Sequence, residues 1–218
     1  MNGMNKADRL QVIRDTGIIA IVRARSSEQL IPAAAAIREG GVRVIEVSMT
    51  TPGALEVIAE ATGRLGPDVL LGAGTVLDAE TARAAILAGA GLIVAPTLDV
   101  DVIRLCNQQG VVAVPGCYTP TEMLLAYRAG ADLIKFFPAE AGGAAMLRSI
   151  RAPLPHLQIV PVGGVTLDNA TEYIRSGAAA LGVGSALINE SVLEAADWRG
   201  LSRRADAFIQ AVKRGRDK

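Results

Sequence analysis

Short apolar runs recur along the chain, and between them lie stretches with helical spacing. The runs are Ile18–Val22, Val42–Val47, Val69–Leu71, Leu92–Ala95, Val111–Val114, Leu133–Phe136, Ile159–Val162 and Ala179–Val183. They hardly alternate with polar positions, which marks strands buried on both faces. The intervening stretches open on helix-start signals. Ser26 with Gln29 forms a capping box, Thr51-Pro52 supplies an N-cap and N1 proline, and Asp78 and Asp99 serve as N-caps. Thr119-Pro120-Thr121-Glu122 combines all three signals, and Thr166 opens a helix running to Ser176. Gly40-Gly41, Gly89, Gly110, Gly130 and Gly177 stop helices just before strands. Further helices are predicted over Asn5–Thr16, Ala144–Ile150 and Leu201–Val212.

Eight strand–helix units of similar length follow from this reading. Alternating strands and helices with buried strands imply a parallel sheet. Eight even units predict an α/β fold closed as a small (β/α)8 TIM barrel, a single domain over residues 1–218 with an extra N-terminal helix. An open doubly wound sheet is the rival architecture.

Composition narrows the function. Lys+Arg and Asp+Glu both number 22, and no basic stripe points to nucleic acid or an anionic membrane. No run of about 20 apolar residues is long enough to span a bilayer. Cys106 and Cys117 have neither metal-site nor disulfide-framework spacing, which fits a reduced, cytoplasmic protein. His156 is the sole histidine and lies among prolines, which disfavours a His-rich metal site or a Ser-His-Asp triad and suits a surface turn.

The candidate chemistry sits at the ends of the strands. Lys135 stands in an apolar run beside Phe136 and Phe137, while Lys6, Lys213 and Lys218 lie near the termini. Desolvation lowers a lysine's pKa, and a neutral amine can attack a carbonyl. A lysine that merely packs its stem there is the structural alternative. Glu46 is the carboxylate within its apolar run, suited to taking and giving protons. Arg23, ending the first strand, can clamp a carboxylate, and Thr75 offers a hydroxyl. Gly163-Gly164 and Gly184-Ser185 follow the last two strands, where barrels often bind phosphate, and a helix starting after Ser185 would add its dipole. A buried ion-pair network is the alternative for the cluster, although such networks stabilise little.

These stretches together resemble the class I (Schiff-base) 2-keto-3-deoxy-6-phosphogluconate and 4-hydroxy-2-oxoglutarate aldolases. The resemblance is carried by Gly41–Val47, Gly72–Val76, Pro115-Gly116 with Thr119–Glu122, Lys135–Pro138, Pro161–Val165 and Gly182–Ser185. It implies that Lys135 forms a Schiff base with a 2-keto acid, Glu46 shuttles protons and Thr75 contacts the pyruvyl part. It places Phe137 in the substrate site and phosphate contacts near Gly163, Gly164, Gly184 and Ser185. It further implies a homotrimer that needs neither metal nor cofactor. Some members carry an arginine where this chain has Thr50, and Arg23 then takes the carboxylate role. The 2-keto-3-deoxy-6-phosphogalactonate substrate is an alternative, and a phosphate-binding barrel isomerase or epimerase is the reading from another class.

Overall fold

The computed structural model describes residues 4–217. All paired strands are parallel, and they fall into two sheets. One has the order β5-β4-β3-β2-β1-β9 and the other β6-β7-β8. Strands β1 (Ile18–Val22), β2 (Val44–Ser48), β3 (Leu70–Gly74), β4 (Leu92–Val94) and β5 (Val112–Val114) are followed by β6 (Gly116–Cys117), β7 (Ile134–Phe136), β8 (Ile159–Pro161) and β9 (Leu181–Val183). Pro115, which has no N–H to donate, separates β5 from β6 where a single strand was expected. Its carbonyl still accepts from the Lys135 N–H, and Val162 forms a bridge with Gly182 between β8 and β9.

The helices are α1 (Lys6–Thr16), α2 (Ser27–Glu39), α3 (Ala54–Ala61), α4 (Ala79–Leu87), α5 (Val100–Gln108), α6 (Pro120–Arg128), α7 (Ala139–Arg151), α8 (Leu167–Arg175), α9 (Glu190–Ala195) and α10 (Trp198–Arg216). No helix among the described residues is long and apolar enough to cross a membrane. The Asp78, Asp99 and Thr119 side chains cap their helices as the sequence predicts. At Ser26 only half of the box forms, because the Gln29 side chain accepts from Arg25 N–H instead.

Two start signals are overturned. Thr51 N–H donates to the Ser48 carbonyl in a turn, so α3 begins at Ala54 behind Gly53 at φ 73°. After Ser185 the chain makes one turn, with Leu187 and Ile188 N–H both on the Gly184 carbonyl, and α9 starts only behind its N-cap Asn189. His156 lies in an exposed turn, its ring edge-on to Tyr127.

Period-two alternation explains where the chemistry lies. One apolar cluster packs strands against helices. A second gathers Ile19 and Ile21 of β1, Val44, Leu70, Leu92 and Val94, Val112 and Val114, Leu133, Val160 and Ala180, with Ile13 of α1 packed among them. Continuing that same face toward the strand C-termini reaches Arg23, Glu46, Ser48, Gly74, Lys135 and Gly184. Strands β1, β2 and β7 therefore present apolar residues first and polar groups last.

Candidate active site

Lys135, central in β7, is 5% exposed, and Glu46, central in β2, is 2% exposed. Glu46 has room because β3 supplies Gly74 beside it. A Cβ at residue 74 would lie 1.6 Å from Glu46 Oε1. The Lys135 Nζ lies 4.7 Å from the Phe137 ring centroid, and that ring is partly exposed at the mouth of the site.

Burial pushes the Lys135 ammonium below its ordinary pKa. The Glu46 charge opposes that shift and Arg23 adds to it. Burial likewise raises the Glu46 carboxyl, with Lys135 and then Arg23 pulling it back down. Burial thus works against the charged form of both groups, which eases proton exchange at each.

Thr75 reaches the site by a different route. Residues 70, 72 and 74 share the inner face, so an extended Thr75 would point away from it. Its backbone instead takes φ 59°, the left-handed region, which is uncommon for a β-branched residue. The strand ends there, and the hydroxyl joins the cavity lining.

A cavity of ≈ 400 Å³ brings together every residue singled out from the sequence: Arg23, Glu46, Thr75, Lys135, Phe137, Gly163, Gly164, Gly184 and Ser185. Thr50 also lines it. Gly163 and Gly164 have φ 94° and 68°, conformations that suit glycine. No turn or loop hydrogen bond to a backbone carbonyl is donated by the backbone N–H groups of Gly163, Gly164, Gly184 or Ser185 among the described residues. The sequence reading gave no role to Ser48, which is 0% exposed and bonded to both Thr50 and Thr75. Its spacing of two from Glu46 was the available signal. No cluster of three or more His, Cys, Asp or Glu side chains gathers among the described residues.

Residues 10–203 match the family described as KDPG and KHG aldolase. The chain belongs to this family. The aldolase is 36% identical to the 2-dehydro-3-deoxy-phosphogluconate aldolase of Treponema pallidum, over 89% of this chain and 93% of that one. It is 33% identical to the 2-dehydro-3-deoxy-6-phosphogalactonate aldolase of Escherichia coli, over 90% and 94%. It also superposes on the KDPG aldolase of Legionella pneumophila with a TM-score of 0.85 and 27% identity, over 91% of this chain and 97% of that one. In that structure pyruvate is captured as a covalent carbinolamine intermediate. As a member of the family the protein is a carbon–carbon lyase.

Proposed function

We propose that this aldolase cleaves 2-keto-3-deoxy-6-phosphogluconate to pyruvate and glyceraldehyde 3-phosphate, and 4-hydroxy-2-oxoglutarate to pyruvate and glyoxylate, through a Schiff base on Lys135. The observation that carries the reading is the buried, pKa-depressed Lys135 amine sharing one cavity with Glu46. The carbinolamine of the Legionella relative supports it. Lys135 attacks the C2 carbonyl carbon, and Glu46 protonates the departing hydroxyl so that water leaves and an iminium remains. Glu46 then takes the C4 hydroxyl proton. The C3–C4 bonding pair moves into the iminium, giving an enamine and releasing the aldehyde. Protonation at C3 and hydrolysis by water free pyruvate and the amine. The iminium is the electron sink, so the reading assigns no metal or cofactor. Borohydride added with pyruvate should leave a reduced pyruvate adduct on Lys135. An unmodified mass would exclude the Schiff base and favour the isomerase or epimerase reading.

Arg23 is assigned to the substrate carboxylate. Arg23→Ala should raise KM for both substrates about 10- to 100-fold, the loss expected for hydrogen bonds between charged groups, with a smaller fall in kcat. Thr50→Ala should change KM much less. Comparable small effects from both would place the carboxylate elsewhere.

The N–H groups of Gly163, Gly164, Gly184 and Ser185, with the Ser185 hydroxyl, are assigned to the phosphate. Gly184 permits a clean test. Its φ is not in the left-handed region, and a Cβ there would have no atom within 4 Å. At Gly164 a Cβ would strike the Glu140 Cβ at 2.4 Å, on top of the backbone strain. Gly184→Val should therefore fold, trap pyruvate normally and raise KM for the phosphorylated substrate by about tenfold or more, while 4-hydroxy-2-oxoglutarate is cleaved nearly as before. Equal losses on both substrates would remove the phosphate from these turns.

The galactonate-derived substrate remains the second reading, supported by the similarity to the Escherichia coli enzyme of that name. A panel assay of pyruvate release separates the two C4 configurations. We further propose that the two sheets close through the Pro115 and Val162 contacts into one (β/α)8 barrel, capped by α1. This single domain would act as a cytoplasmic homotrimer.

A further inference from the structure

We infer that Ser48 is a positioning residue that fixes which way the Thr75 hydroxyl points its proton. The inference rests on the assignment of Thr75 to the pyruvyl part of the substrate, at the carboxylate that Arg23 also binds. Ser48 ends β2 two residues beyond Glu46, and its side chain is fully buried. Its Oγ lies 2.9 Å from Thr50 Oγ1 and 3.1 Å from Thr75 Oγ1, and it has no other partner among the described residues.

Proton counting sets the rest. A serine hydroxyl carries one proton and two lone pairs. Buried as it is, the Ser48 proton needs an acceptor, and the two threonine hydroxyls are the acceptors in reach. If Ser48 donates to one threonine, the second contact is a hydrogen bond only if that threonine donates to Ser48. The two cavity-facing hydroxyls therefore have opposite senses. A carboxylate only accepts. A Thr75 hydroxyl that holds it must donate to it, so Thr75 accepts from Ser48 and Ser48 accepts from Thr50. The chain runs Thr50 to Ser48 to Thr75 to carboxylate, each bond polarising the next. Thr50 is left with lone pairs toward the cavity, matched to a donor such as the Arg23 guanidinium or a substrate hydroxyl.

Without Ser48 the Thr75 hydroxyl is free to rotate and loses the neighbour that compels it to donate. The backbone of Thr75 is already held at φ 59°, so Ser48 completes the orientation of a side chain whose main chain is set by the strand end.

A double-mutant cycle tests this, with Ser48→Ala, Thr75→Val and their combination assayed on 2-keto-3-deoxy-6-phosphogluconate. Borohydride trapping of pyruvate checks that each site is assembled. Ser48→Ala should raise KM about tenfold with a smaller change in kcat, and Ser48→Thr, which keeps the hydroxyl, should restore most of the loss. In the Thr75→Val background Ser48→Ala should cost nothing more. Should the alanine variant not fold, Ser48→Cys fills the same space with a weak donor and carries the same comparison. A full additional loss in the double variant, or an unchanged KM in Ser48→Ala beside an impaired Thr75→Val, overturns the role of Ser48 and leaves Thr75 in place. An unchanged KM in Thr75→Val overturns the assignment of Thr75, and the inference about Ser48 falls with it.

Discussion

Replacing Lys135 by alanine is expected to abolish cleavage while the protein still folds. The substitution removes the atom assigned to bond the substrate, and no neighbouring group can substitute by position alone. The cavity walls that surround the amine are built by other residues and remain. Pyruvate with borohydride should leave the alanine variant unmodified. Lys135→Arg should fail as well, because a guanidinium keeps its proton in any protein environment and cannot act as the nucleophile. The arginine variant matters because it keeps positive charge opposite Glu46. If charge alone were needed, as in a barrel isomerase with an electrostatic clamp, arginine would retain part of the activity. A trapped adduct in Lys135→Ala would move the nucleophile elsewhere.

The second large effect is at Glu46. Glu46→Gln keeps the side-chain shape over Gly74 but cannot carry a proton, and turnover should fall on the order of 10²- to 10⁴-fold. Pyruvate binding should suffer far less. The pH profile offers an independent check. The Glu46 charge raises the Lys135 pKa against the effect of burial. Removing that charge withdraws support from the ammonium, so the Lys135 pKa should drop further. The acidic limb of the residual kcat/KM profile should then shift to lower pH. A limb that shifts upward, or turnover near that of the unsubstituted enzyme, would remove Glu46 from the proton transfers.

Both residues were legible in the sequence for the same physical reason. Strands buried on two faces read as unbroken apolar runs, so a lone lysine or glutamate inside one stands out. Asp78, Asp99 and Thr119 were legible because capping is settled within one turn of backbone. Thr51-Pro52 carries the same local signature, yet Thr51 N–H is drawn to the Ser48 carbonyl, and the turn defers the helix. The six-residue α9 has too few turns to show a period. Ser48 was visible as a residue but not as a link, since its partner Thr75 follows the neighbouring strand, far along the chain. Thr75 was legible as a hydroxyl at a strand end, but the left-handed backbone that brings it into the cavity lining was not.

That left-handed Thr75 also bears on how the enzyme would respond to selection. A non-glycine residue held in this region costs of order 1–3 kcal/mol, and glycine would relieve most of it. Screening libraries for heat resistance alone would therefore enrich the substitution Thr75→Gly, and it would do so by discarding the hydroxyl of a residue that lines the cavity. Stabilised descendants of this protein are best sought under a screen that demands turnover at the same time, with position 75 held fixed.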